Sequence, residues 1–197
     1  MSEWWTYRLS DFLMFSPATY WRLVERYNRD MWPLQLLTLT AGVVLLWLVT
    51  RRHRRAPAAA AIALAVAWLW VGWGFHWQRY APINWAARYL AAAFLVQAAL
   101  LLVAAAFAAR SNPDARRARS NRIGLSVAAL GLLYPLGAVL AGRPMAQAEV
   151  FGLLPEPTAL FTLGLLAASG WKRRAWLGII PVASLVTGLL TLWTFGA

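Results

Sequence analysis

The chain of 197 residues is 61% hydrophobic and 13% charged, carries a formal net charge of +12, and contains thirteen tryptophans but no cysteine. That balance excludes an ordinary soluble domain, and the missing cysteine excludes disulfides, thiolate nucleophiles, iron–sulfur clusters and cysteine zinc sites. The charges are gathered into clusters separated by uncharged runs about as long as a bilayer is thick, the pattern of a polytopic membrane protein.

Residues 1–31 form an outer-face amphipathic segment in this reading. Ser16-Pro17 predicts a helix start, because serine caps and proline is tolerated in the first turn. Beyond it, Tyr20, Val24, Tyr27 and Met31 share one stripe, and Arg22, Glu25, Arg26 and Arg29 lie away from it. The stripe can rest on the outer leaflet, with Trp4, Trp5 and Trp21 nearby, or pack on the outer ends of the bundle; either buries the same residues. The opening Ser2-Glu3-Trp4-Trp5 has no basic region, so the first span is expected to be the insertion signal.

Residues 32–197 are expected to be the transmembrane domain, an all-α bundle. The charge-free intervals enclose 20 residues after Asp30, 23 after Arg55, 21 after Arg88, 20 after Arg122, 15 after Glu156 and 23 after Arg174. A spanning helix needs about 20 apolar residues, so only the interval of 15 falls short. Blocks such as AAAAIALAVAWLWV are apolar all round and lack the alternation of an outer-membrane barrel strand. The predicted spans are six: 33–50, 57–77, 89–109, 123–141, 157–171 and 175–195.

Twelve Lys and Arg fall in the turns 51–55, 110–122 and 171–174, against seven on the opposite side, where six of the seven acids also lie. The positive-inside rule then puts those turns in the cytoplasm and both termini outside, in the periplasm if the membrane is a bacterial inner membrane. The basic residues are divided among three short turns with no basic helix face, so they set topology and meet anionic headgroups of membrane lipids; no nucleic-acid partner is expected. The tryptophans cluster at two depths, as an aromatic belt requires, with Trp68 and Trp70 deeper.

Two irregular places stand out. In the second span Gly72, His76 and Tyr80 recur every four residues and share a face, with the glycine admitting a close neighbour beside the histidine. His76 is either a packing residue or a proton or metal participant. The fifth interval is preceded by GRPMAQAEVFGLLPEP, which reads as a broken or re-entrant helix, or as an outer loop followed by a short tilted span. Tyr134-Pro135 and Pro181 predict kinks in the fourth and sixth spans. His53 lies in the RRHRR turn and about 29 Å of helix separates Pro57 from His76, so no bis-histidine haem is expected, nor any other cofactor or metal.

The stretches WWTYRLSDFLMFSPATYWRLVERYN, MWPLQ, FHWQRYAPINWAARY and YPLGAVLAGRPMAQAEVFGLLPEPTAL resemble an uncharacterised family of bacterial inner-membrane proteins, a domain of unknown function. The similarity covers essentially the whole chain and is most specific at QAEVFGL. It implies a six-span membrane protein and carries over no catalytic residue.

Two functions stay open. One is a small-solute or ion transport or channel protein with an outer-facing polar site formed by His76, Tyr80, Asn84, Gln147, Glu149 and Glu156, in which His76 and Glu149 are expected to touch. The other is a non-catalytic accessory or assembly subunit of a larger membrane complex, or a homo-oligomer, held by small-residue faces. Gln35, Thr38, Thr40, Gln97, Ser126, Thr162, Ser184, Thr187 and Thr191 are polar residues within the spans, suited to interhelical hydrogen bonds or to a pore lining. Ser126, Ser169 and Ser184 have no base at helical spacing, and phosphate loops and paired metal carboxylates are absent, so no enzyme is expected. The topology is testable with single cysteines: Ser2→Cys and Ala197→Cys should label in intact cells, and Ser111→Cys only after permeabilisation. Labelling of residue 111 from outside would reverse the orientation.

Overall fold

The computed structural model describes residues 15–110, 122–168 and 172–196, and every element among them is helical. The first fourteen residues, Trp171 and most of the basic 110–122 loop lie outside the described residues. The helices are α1 (Pro17–Asp30), α2 (Leu34–Thr50), α3 (Ala56–Trp70), α4 (Ala87–Arg110), α5 (Arg122–Leu133), α6 (Leu136–Leu140), α7 (Pro155–Ala168) and α8 (Ile179–Gly196). Helix α3 runs without a break into a π-helical stretch, Val71–Tyr80, here the π segment.

Helix α1 begins where the capping signal lies: the Ser16 hydroxyl accepts from the Thr19 N–H at 3.2 Å, and Pro17 takes the first turn. Tyr20, Val24 and Tyr27 are buried in the core of the bundle, joined by Asn28, while Met31 is half-buried. Of the two places the stripe could rest, it occupies the packed one. Helix α2 then leaves at 85° to α1.

Among the described residues three helices are long and apolar enough to cross a membrane, Ala56–Tyr80, Ala87–Ala108 and Ala175–Phe195, with the bent α1–α2 pair making a fourth if counted as one. The remaining intervals give shorter helices. The fourth breaks at Tyr134-Pro135, where proline lacks the N–H a continuous helix needs, into α5 and the five-residue α6. The fifth begins only at Pro155 and gives 14 residues.

The two broadest helix pairings are α3 with α4 and α5 with α7. In the second, Gly124, Ala128 and Gly131 lie against Gly164, Ala168 and Phe161. A Cβ at Gly131 would stand 2.8 Å from the Phe161 backbone nitrogen, and one at Gly164 would run into the Ala128 backbone. Small residues at three- and four-residue spacing therefore let two backbones touch, which polar or bulky side chains would prevent. Polar residues point inward: Trp68 Nε1 donates to Thr162 Oγ1 at 2.9 Å, and Gln97 Nε2 to the Leu177 carbonyl at 2.9 Å. Large apolar side chains such as Leu37 and Trp47 of α2, Val96 of α4 and Leu189 of α8 point outward.

The crossing makes a sign-opposed prediction. Gly164→Ala should lower the melting temperature in detergent, by the equivalent of about 1–3 kcal/mol, because the methyl group meets backbone that cannot rotate away. Gly137→Ala, where a Cβ meets nothing within 4 Å, should be neutral or raise it by up to about 1 kcal/mol through the unfolded state.

Candidate functional site

The stretch after α6 decides where the site forms. Residues 148–159 are buried one after another, yet helix starts only at Pro155. The backbone of residues 148–154 therefore draws partners from other elements. Asn28 Nδ2 of α1 donates to the carbonyls of Ala146 at 3.0 Å and Ala148 at 2.8 Å, and Gln35 Nε2 donates to the Asn28 carbonyl at 2.6 Å. From the other side Thr158 Oγ1 accepts from the Gly152 N–H at 2.8 Å and donates to the Leu154 carbonyl at 2.7 Å. Gly152 has φ of +79°, and a Cβ there would stand 3.1 Å from Thr38 Cγ2, so backbone sign and space both select glycine. Residues 148–154 are folded into the protein as non-helical chain, and residues 143–147 before them are exposed or half-buried.

That segment carries Glu149 near its start and delivers Glu156 to the first turn of α7. Both carboxylates line one cavity of about 410 Å³, together with His76, Tyr80 and Asn84. Helix α8 supplies the facing wall through Ser184, Thr187, Gly188 and Thr191, whose three- and four-residue spacings put them on one side. Gly188 is what lets Glu156 in: a Cβ there would lie 2.9 Å from Glu156 Cγ and collide with its Oε1. His76 sits in the π segment, 3% exposed, with its ring 4.6 Å from Phe94 and 5.4 Å from Phe75 between centroids. Gly72 makes the neighbouring approach, a Cβ there standing 2.9 Å from Phe94 Cβ.

Among the described residues neither ring nitrogen of His76 has a hydrogen-bond partner, nor does Glu156 Oε2, and all three atoms are buried. Glu149 is differently placed. Its Oε2 lies 3.5 Å from Arg143 Nη2, and the Arg143 guanidinium stacks 3.6 Å over the Trp21 ring of α1. Burial raises the Glu149 pKa above its ordinary value and the Arg143 charge opposes the rise. Burial, then the charges of Glu156 and Glu149, push the Tyr20 phenol far upward, so it stays a neutral donor on the cavity wall.

Of the expected site, His76, Tyr80, Asn84, Glu149 and Glu156 share the cavity, and Gln147 does not. Gln147 Nε2 turns to Glu25 Oε2 at 3.3 Å, in a turn packed on α1. The expected contact between His76 and Glu149 is also corrected: Glu149 is held by the nearer and oppositely charged Arg143, and aromatic rings box the imidazole. Trp70, Trp73 and Trp77 are not on the cavity; Trp70 Nε1 donates to Tyr27 Oη at 3.0 Å and the other two stack 6.2 Å apart. Sequence reasoning missed Tyr20, Arg143 and Gly188 as site residues. The α8 pattern of Ser184, Thr187, Gly188 and Thr191 could have pointed to a polar face. Among the described residues no group of three or more His, Asp and Glu is placed to hold a metal ion.

The sequence profile of DUF6064, a family of unknown function, matches residues 18–197. The chain belongs to this family. No curated protein and no solved structure matches it. The DUF6064 match takes in the whole cavity, from Tyr20 of α1 to Thr191 of α8.

The raised pKa of Glu149 has a direct consequence for stability. A carboxyl group that holds its proton more tightly when folded stabilises the folded state fully below its unfolded value, and that contribution is lost as pH rises through the folded value. The melting temperature should therefore fall as pH rises above the ordinary carboxylate range, and Glu149→Gln should flatten that slope. An unchanged slope would mean that Glu149 ionises as freely in the folded protein as in the unfolded chain.

Proposed function

We propose that the protein is a six-span integral membrane protein that binds a small solute or ion in the Glu149–Glu156–His76 cavity and passes it across the bilayer. Three helices have the length and apolarity to cross alone. The proposal assigns α2, the α5–α6 pair and α7 as the other spans, shortened by Pro135 and by the buried 148–154 segment. The outward-facing Leu, Val and Trp side chains suit lipid contact, and the basic turns suit anionic headgroups on the cytoplasmic side. In this orientation the cavity faces outward, because His76 lies 20 helical residues, about 30 Å, beyond Ala56 and the RRHRR turn.

The observation that carries the reading is a cavity of about 410 Å³ lined by His76, Glu149 and Glu156, in which His76 Nδ1 and Nε2 and Glu156 Oε2 are buried without a hydrogen-bond partner among the described residues. Buried polar groups are otherwise satisfied in native proteins, and those left open in a cavity are available to a ligand. Non-helical backbone buried in the protein at such a place is the arrangement seen in solute-binding membrane proteins.

Flux measurement tests this. Protein reconstituted into liposomes should give saturable uptake of at least one solute in a panel of small cations, anions and neutral solutes. Thr191→Leu, which fills the cavity from α8, should cut the rate by about tenfold or more, as loss of a fitted contact does. Uptake no greater than in empty liposomes across the panel would sink transport, and subunits co-purifying in fixed stoichiometry would favour the accessory role instead.

A further inference from the structure

We propose that the cavity takes a small protonated primary or secondary amine with an apolar body, whose N–H groups bond to the Glu156 carboxylate and the His76 imidazole. This rests on the solute-binding reading and names the class of solute.

The charges on the wall select the sign. Glu149 is matched by Arg143, whereas Glu156 makes no ion pair with any described residue. With Glu156 ionised beside a bound cation, the pair and the lone carboxylate together leave one negative charge facing a space walled by Phe75, Phe94 and Tyr80. A buried charge without a counter-charge is costly, and one cation balances it. The aromatic rings add attraction for that cation and cover for an apolar body.

The hydrogen-bonding inventory selects the head group. An ionised carboxylate only accepts, and a neutral imidazole accepts at one nitrogen. Thr187 and Thr191 spend their hydroxyl protons on the carbonyls of Ala183 and Thr187, each at 2.9 Å, so their oxygens also face the cavity as acceptors. The Tyr20, Tyr80 and Ser184 hydroxyls and the Asn84 amide on the same wall can donate as well, so it is the carboxylate of Glu156, flanked by these acceptors, that calls for a ligand with both a positive charge and N–H donors. A quaternary ammonium has the charge and no N–H, an alcohol has the donor and no charge, and a carboxylate has neither.

Binding of three amines of increasing bulk, ethylamine, cyclohexylmethylamine and 2-phenylethylamine, to the detergent-solubilised full-length protein tests the idea by calorimetry. At least one should bind saturably. For 2-phenylethylamine, phenethyltrimethylammonium, 2-phenylethanol and 3-phenylpropanoate should each bind at least about tenfold more weakly, the loss expected for one charge-assisted hydrogen bond. Glu156→Gln should weaken amine binding by a similar factor, with Asp30→Asn, a surface carboxylate paired with Arg79, leaving it unchanged. If Glu156→Gln does not fold, the head-group series on the unaltered protein decides alone. Binding of none of the three amines, or equal binding of the neutral or anionic analogues, overturns the amine assignment. Flux of a neutral or anionic solute without amine binding would overturn it and leave transport standing; amine binding without flux of any solute would do the reverse.

Discussion

Backbone buried without helix or strand must find the hydrogen bonds its own turns do not supply elsewhere in the protein, and residues 148–154 place that demand at the centre of this bundle. The answer comes from two directions, Asn28 and the Gln35 behind it on one side and Thr158 on the other. Thr158 is itself part of a longer chain, since its carbonyl accepts from Thr162 at 2.7 Å and Thr162 accepts from Trp68. Helices α1, α2, α3 and α7 are thus tied through one irregular segment. This gives α1 its place: a helix whose stripe could have rested on lipid is needed inside, because Asn28 follows Tyr27 on the buried side.

The same segment sets the electrostatics. Two carboxylates seven residues apart are brought to one cavity because the chain between them folds back instead of extending. Among the described residues only one finds a cation. Arg143 reaches Glu149 while lying flat on Trp21, so the ion pair also joins the segment to α1. Glu156 enters beside Gly188, where any side chain would push it out. The open valence of the site is a consequence of this asymmetry, and a site with both carboxylates paired would have nothing left to offer a charged solute.

His76 owes its environment to helix geometry. The π segment keeps Gly72, His76 and Tyr80 buried together, and Gly72 brings Phe94 close enough to face the imidazole. The four-residue spacing made the shared face readable in advance. The widening of the helix was not, because no proline or insertion marks it and a π turn is set by what packs on it. Such turns recur at functional sites, where the wider turn displaces one residue from the regular face.

Composition and spacing by themselves determined the helical class, the apolar exterior, the capped start of α1, the stripe of Tyr20, Val24 and Tyr27, and the break at Pro135. Each is local: it depends on runs, periods and backbone chemistry within a few residues. The small residues that allow α5 and α7 to touch were visible as letters, but their pairing depends on which helices meet. Tertiary structure alone decided that QAEVFGLLPEP folds inward, that Gln147 turns to Glu25 while Glu149 turns to Arg143, and that Ser184, Gly188 and Thr191 close the cavity 28 or more residues along the chain from Glu156. The physical reason is that a buried polar group takes whatever partner the packing brings within about 3 Å, and sequence distance does not enter that choice.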